Sequence, residues 1–359
     1  MDPSRVGLVR TTDRKSAMQA GLITGTNQFE FREFPYPTPK PGGVVVEITY
    51  CGICGTDVHA YRSGRSYPPA VCGHEWVGVV SAVSRDIRRF SEGDRVVVAV
   101  PPACGTCDHC DHGRQDQCRF VRAVATGRDA QAPDHGGFAP AIGVSAERVI
   151  PAEAALSDVE AAQVEPTTIS VHAVRRSGVG PGDLVVVQGA GPIGLSVLQV
   201  AKAHGVDEVL VVEPNEGRRT LARELGADLA ITPEAAADIV LERTRGTGAD
   251  AVIECAGLPD TVQTAIGFCR SGGTMCLVGI ADGPVSIIPQ ELIAREVTVV
   301  SAVAYLHEEF RIAMEFIADG HVQVHQVHSS TVGLADLPAA IERLAGGSGE
   351  TKVLVDPAI

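Results

Sequence analysis

Between residues 169 and 304, runs of consecutive Val, Ile and Leu alternate with stretches of helical periodicity, and this pattern restricts the fold more than anything else in the chain. LVVVQG is followed by a helix over about 192–204, EVLVVE by one over 216–225, LAIT by one over 234–245 and AVIECAG by one over 258–270. GTMCLVG and VTVVSAV complete six strands. A strand that is apolar at every position must be covered on both faces, which requires a parallel sheet with helices on each side. Six such strands fit the doubly wound α/β order that binds dinucleotides beyond the carboxyl ends of its strands.

The turn after the first of these strands reads QGAGPIGL, with Gly189, Gly191 and Gly194 in G-x-G-x-x-G spacing and Pro192 and Ile193 opening the helix. The first glycine permits a tight turn, the second lets a pyrophosphate approach the backbone and the third lets helix and strand pack closely. The second strand ends at Glu213, nineteen residues beyond Gly194. A carboxylate there accepts hydrogen bonds from the adenosine ribose and repels a 2′-phosphate, which favours NAD over NADP. Arg218 and Arg219 argue the other way. Arg218 is kept as a cofactor-binding candidate, and Arg219 is read as a solvated helix residue. Val278, closing GTMCLVG, is expected beside the cofactor.

Up to about residue 165 the texture differs. Short β-branched runs (44–50, 76–83, 94–100) are separated by turn clusters such as PYPTPKPGG, the pattern of a mainly β domain. The last segment holds two helices, near 307–319 and 334–345, and the strand TKVLV, too little to form a core alone. The expected division is a catalytic domain over 1–168, with an extension over 1–17 and a lobe over 102–120. A dinucleotide-binding domain follows over 169–304, and the tail 305–359 returns to the first domain. The 30 basic and 44 acidic residues leave a formal charge of −14, with the acids spread along the chain. That disfavours nucleic acid and anionic membranes as partners. No apolar run approaches the roughly 18–20 residues of a membrane span. No secretory signal is evident either, so the expected location is the cytoplasm.

CGTCDHCDHGRQDQC places Cys104, Cys107, Cys110 and Cys118 in C-x2-C-x2-C-x7-C spacing. Disulfides are disfavoured in a reducing compartment. The last gap is too long for the bacterial iron–sulfur pattern, and Arg119 stands where that pattern has proline. Four thiolates suit a closed, tetrahedral structural zinc site. A second group is dispersed: Cys54, Asp57 and His59 in YCGICGTDVHAY, His74 and Glu75 in VCGHEWVG, and Glu165 in QVEPTT. Cys54, His74 and Glu165 would make a mixed site of three ligands and one open position, the signature of catalytic zinc. Cys51 and Cys72 read as packing residues and Trp76 as core.

Taken in order, CGICGTD at 51–57, GHE at 73–75, the cysteine lobe and GAGPIG at 189–194 resemble the zinc-dependent medium-chain alcohol dehydrogenases, from about Met18 to the end. The resemblance implies a first domain related to chaperonin-10 and an active site in the cleft between domains, with two zinc ions per chain and NAD. It implies that Cys54 and His74 bind the catalytic zinc and Asp57 orients His74. Thr56 would take the substrate proton and pass it through the nicotinamide ribose to His59. Glu165 stands where a second cysteine is usual, a departure similar to the polyol, butanediol and threonine dehydrogenase branch. In that branch Glu75 can also bind zinc, so Glu75 and Glu165 are alternates, with Glu165 preferred. The implied reaction is reversible oxidation of a secondary alcohol, diol or polyol to a ketone or aldehyde. Tyr61 and 135–142 are expected to border the substrate pocket. VTVVSAV could pair with its own copy in a homodimer or homotetramer. The rival expectations are a zinc-free NADPH quinone or enoyl reductase of the same superfamily, and a non-catalytic nucleotide-binding redox sensor.

Overall fold

The computed structural model describes residues 16–359 except 282 and 304. The extension expected over 1–17 thus lies, up to residue 15, outside the described residues.

Six strands form one parallel sheet in the order Leu229–Ile231, Glu208–Val212, Leu184–Gln188, Ala249–Glu254, Cys269–Leu277, Thr298–Ser301. The first strand in sequence lies third, so the order reverses between it and Ala249–Glu254. That reversal opens the crevice in which doubly wound sheets bind nucleotides. All five residues of Leu184–Gln188 are buried, as the unbroken apolar run requires. Helices Pro192–Ala203, Glu216–Glu224, Pro233–Arg243 and Pro259–Phe268 occupy the expected intervals. Three begin with proline, whose missing N–H and fixed φ suit the first helical position.

The other large sheet has seven strands, six on its main path and one paired beside it. Gly43–Gly52 pairs antiparallel with Glu75–Val83, which continues to Arg95–Val98 and Val149–Pro151. On its other side lies Lys352–Asp356, antiparallel to it, and then His328–Gly333. Strand Ala141–Ser145 pairs with Gly43–Gly52 as well. A hairpin of Ala17–Gly25 and Gln28–Pro35 stands apart as a two-stranded sheet. Trp76, Cys51 and Cys72 are packed inside the core of this half, as their surroundings in sequence suggest.

Between the two sheets runs a helix that the strand–helix alternation does not announce, Val164–Ser177. Eleven of its fourteen residues are buried, which is why no amphipathic stripe marks it. It packs on Pro192–Ala203 and on Glu309–Ala318. The buried carboxylate of Glu309 ties the latter helix down: it accepts from His172 Nδ1 at 2.9 Å, Arg175 Nη1 at 3.0 Å and the Leu306 N–H at 2.7 Å. Among the described residues no helix is long and apolar enough to cross a membrane.

Candidate metal and nucleotide site

Cys54 caps helix Gly55–Ser63. The Thr56 N–H donates to Cys54 Sγ at 3.4 Å, and the Cys54 N–H donates to Asp57 Oδ2 at 2.9 Å. This reciprocal cap satisfies two donors that a helix start leaves open. It also holds the thiol at the helix end with the Thr56 hydroxyl 3.5 Å away. His74 enters from the turn before Glu75–Val83. Its Nδ1 lies 2.9 Å from Val71 O, which fixes a proton on Nδ1 and leaves Nε2 for a metal. Asp57 makes no direct bond to this ring. Its Oδ1 accepts from the Tyr67 hydroxyl at 2.8 Å, and that hydroxyl stands 3.4 Å from His74 Nδ1. Orientation of the imidazole therefore comes first from a backbone carbonyl, with Asp57 acting one residue removed.

Ligand atoms of Cys54, His74 and Glu75 all lie within 4.8 Å of one another. Glu165 is not in that set. The cluster thus contains Glu75 rather than the Glu165 preferred from sequence, and the Tyr305 hydroxyl donates to Glu165 Oε1 at 2.6 Å. Burial pushes the Glu165 carboxyl up to about 7; His74 opposes the rise and Glu75 adds to it. Glu75 is itself held from behind by Lys352 Nζ at 2.6 Å from Oε2. The donor set of one thiol, one imidazole and one carboxylate suits zinc better than magnesium or manganese.

The four cysteines of the lobe also meet, with ligand atoms all within 4.8 Å. Cys107 and Cys110 sulfurs are 3.6 Å apart and Cys104 and Cys118 sulfurs 3.5 Å. A tetrahedron with metal–sulfur bonds of ~2.3 Å has edges of ~3.8 Å, whereas a disulfide would bring sulfurs to ~2.05 Å. All ten cysteines of the chain are free thiols. Hydrogen bonds from Thr106 hold the Cys104 thiol down to about 6, which favours the thiolate a metal requires. The lobe fits a structural zinc ion.

At the glycine turn, Gly189 has φ +92°, and a methyl on Gly194 would be driven into the Gly189 carbonyl oxygen. A methyl on Gly191 would meet nothing, so open space lies where a pyrophosphate would sit before helix Pro192–Ala203. Glu213 is buried at the mouth of this turn, accepting from the Ala190 N–H at 2.8 Å and the Asn215 N–H at 2.9 Å. Arg218 donates to Glu350 O at 3.0 Å, and its buried Nε has no partner among the described residues. Arg219 is not the solvated residue expected. It is buried, bonding the Glu213 and Pro214 carbonyls and the Glu216 carboxylate, because those carbonyls follow the strand end and lack ladder partners.

Two cavities of about 320 Å³ each join these parts. One runs from Cys54, Thr56, His59 and His74 to Ile193 and Val278. It also meets 255–257, which no motif flagged although these residues follow a sheet strand at its carboxyl end; Glu254 braces them, accepting from the Ala256 and Gly257 N–H groups at 2.9 Å. The second cavity shares Thr56, His74, Glu165 and Ile169 with the first and extends to Tyr67, Arg148 and Tyr305. Tyr61 and 135–142 line neither. Tyr61 points into the core with its hydroxyl bonded to Glu342, and His135 opens on a separate cleft. A larger cavity of about 570 Å³, beside His172 and the lobe, contains no thiol and no part of the glycine turn, so it is not where the chemistry converges.

Residues 192–319 match the family of zinc-binding dehydrogenases, and residues 40–154 match the alcohol dehydrogenase GroES-like domain. A sorbitol dehydrogenase of Arabidopsis thaliana is 31% identical over 348 residues, covering 93% of this chain and 94% of the relative. An L-idonate 5-dehydrogenase of Vitis vinifera is 30% identical, covering 93% of each. Among solved structures, an Escherichia coli oxidoreductase of unknown specificity superposes with a TM-score of 0.86 at 28% identity, covering 95% of this chain and 99% of that one. With its zinc-ligand clusters, its glycine turn and these full-length relatives, the chain belongs to the zinc-dependent medium-chain alcohol and polyol dehydrogenase family.

Proposed function

We propose that this protein oxidises a polyol or secondary alcohol reversibly to the ketone, with NAD as hydride acceptor, one zinc ion held by Cys54, His74 and Glu75, and a second by the four lobe cysteines. The observation that carries this is that the Cys54–His74–Glu75 cluster lines one cavity with Ile193, inside the glycine turn, and Val278. Zinc bound there supplies a Lewis acid for the substrate oxygen, and nicotinamide supplies the hydride acceptor. Thr56, held by the helix cap beside Cys54, accepts the substrate's hydroxyl proton. His59, one helical turn further on and facing the same cavity, leads that proton outward. Glu165, fixed by Tyr305, keeps the remaining side of the site polar, while Ile169 supplies an apolar wall shared by both cavities.

NAD rather than NADP is supported by the buried Glu213 carboxylate at the adenosine end of the turn. Reduced thiols throughout suit a cytoplasmic enzyme. Self-association into a dimer or tetramer is supported by the edge strand Thr298–Ser301 and its exposed neighbours Ile293 (77%) and Val303 (58%). The deciding experiment is an absorbance assay for reduced nicotinamide across simple secondary alcohols, diols and sugar alcohols, combined with elemental analysis of the active protein. Turnover with two zinc ions per chain supports the proposal; fewer than two in fully active protein refutes the metal assignment.

A further inference from the structure

The substrate cavity has two unlike ends. At one stand Thr56, His74 and Glu165. At the other stand three arginines: Arg122 and Arg128, exposed at the rim, and Arg148, set into the wall beside Tyr305. Arg122 is engaged, its Nη1 donating to Gln117 Oε1 at 2.8 Å. Arg148 is different. Its Nε and Nη1 are sealed from solvent and have no hydrogen-bond partner among the described residues. A guanidinium is the most persistent charge a side chain offers, and burying one without an acceptor is costly. Burial pushes its pKa below the usual arginine value, with only Asp129 and Tyr305 opposing. Asp129 does not neutralise it: the two form no ion pair, and Asp129 Oδ2 is likewise buried without a partner.

Resting on the dehydrogenase reading of this site, we infer that the substrate is an anionic polyol, a sugar acid or a polyol phosphate. Its carbinol lies at the Cys54–His74 end and its carboxylate or phosphate meets the fork of Arg148, with Arg128 at the rim. A guanidinium in the cavity wall with two further arginines at the rim favours a carboxylate or phosphate over a neutral hydroxyl. The other walls at that end are mostly apolar, Val98, Ala99, Val100 and Ala125, with the Thr126 hydroxyl beside them, so the three arginines supply the charge there.

The test compares matched substrates, each neutral polyol beside its acid and its phosphate ester: xylitol and sorbitol, xylonate, gluconate and idonate, and sorbitol 6-phosphate. Both NAD and NADP are supplied, and wild type is run beside Arg148→Gln and Arg148→Lys. In the wild type, kcat/KM for one anionic series exceeds that for its neutral parents by roughly 10- to 100-fold, the effect of a hydrogen bond to a charged group. Which series gains separates carboxylate from phosphate. In Arg148→Gln that ratio collapses towards unity, mainly through KM, while Arg148→Lys keeps part of it. A wild type that prefers neutral polyols overturns the inference and leaves the dehydrogenase assignment standing. So does an Arg148→Gln variant in which acids and neutral polyols lose activity alike, which marks Arg148 as a structural prop for Tyr305 and Asp129. Absence of turnover with every alcohol and both nucleotides overturns the dehydrogenase assignment itself.

Discussion

Lys352 Nζ lies 2.6 Å from Glu75 Oε2, and both side chains are almost wholly withdrawn from solvent, at 3% and 1% exposure. The pair joins the last strand of the chain to the GHE segment at the metal cluster. Lys352 also donates to Ile53 O at 3.2 Å. Burial alone would pull the ammonium towards neutrality, but Glu75 and Cys54 outweigh it and hold its pKa above the ordinary lysine value. A carboxylate that gives one lone pair to a lysine still has others to offer a metal, and a Glu75 oxygen lies within 4.8 Å of the Cys54 and His74 ligand atoms.

Removing one member of such a pair strands the other. Lys352→Met should therefore destabilise the protein by about 3–5 kcal/mol, the usual cost of breaking a buried ion pair. Denaturant unfolding of the metal-loaded protein measures this. A midpoint unchanged from wild type would show that Glu75 finds another partner.

Cys54→Ser should abolish turnover. Losing a residue that merely orients a ligand already lowers activity or metal affinity about 10- to 100-fold, so losing the ligand itself should exceed that. The glycine turn is untouched by the change, so reduced nicotinamide should still bind by fluorescence titration with near wild-type affinity.

Cys107→Ser addresses the lobe. The variant should retain one zinc ion per chain by elemental analysis, and limited proteolysis should open 102–120, which has little apolar core of its own. Retention of two ions would disprove the four-thiolate assignment.

Glu213→Ala should narrow the preference for NAD over NADP by roughly tenfold, the value of one hydrogen bond to a charged group. Competing titrations of the two nucleotides provide the measurement. Loss of the carboxylate also releases the Ala190 and Asn215 N–H groups, so affinity for both nucleotides should fall.

Gly194→Ala tests the close approach of helix and strand. Its methyl collides with the Gly189 carbonyl, and overpacking of this kind costs about 1–3 kcal/mol. Nucleotide affinity should fall together with stability, whereas Gly191→Ala, with open space before it, should weaken binding alone.

The features legible in the sequence are those whose chemistry demands adjacent residues. A thiolate cluster and a pyrophosphate turn each fit into fifteen positions or fewer, and the parallel sheet declares itself by unbroken apolar runs. The substrate wall was hidden because Tyr67, Arg148 and Tyr305 come one from each of three separate segments, with no shared period. Tyr61 was misplaced for a helical reason. It lies two residues after His59 and five after Thr56, and residues at those offsets do not share a helix face. Helix Val164–Ser177 escaped because it is covered on nearly every side, which erases amphipathicity. The surroundings that distinguish Glu75 from Glu165, Lys352 behind the one and Tyr305 on the other, are far from either glutamate in sequence.

The place of Lys352–Asp356 between Gly43–Gly52 and His328–Gly333 sets an order on biosynthesis. While the polypeptide is still being translated, the amino-terminal half emerges from the ribosome with Lys352–Asp356 and His328–Gly333 missing from its sheet and with Glu75 lacking its counter-ion. Neither gap closes until Lys352–Asp356 has emerged. The Leu184–Ser301 sheet needs nothing from that strand and can assemble first, so the metal cleft is the later of the two to mature.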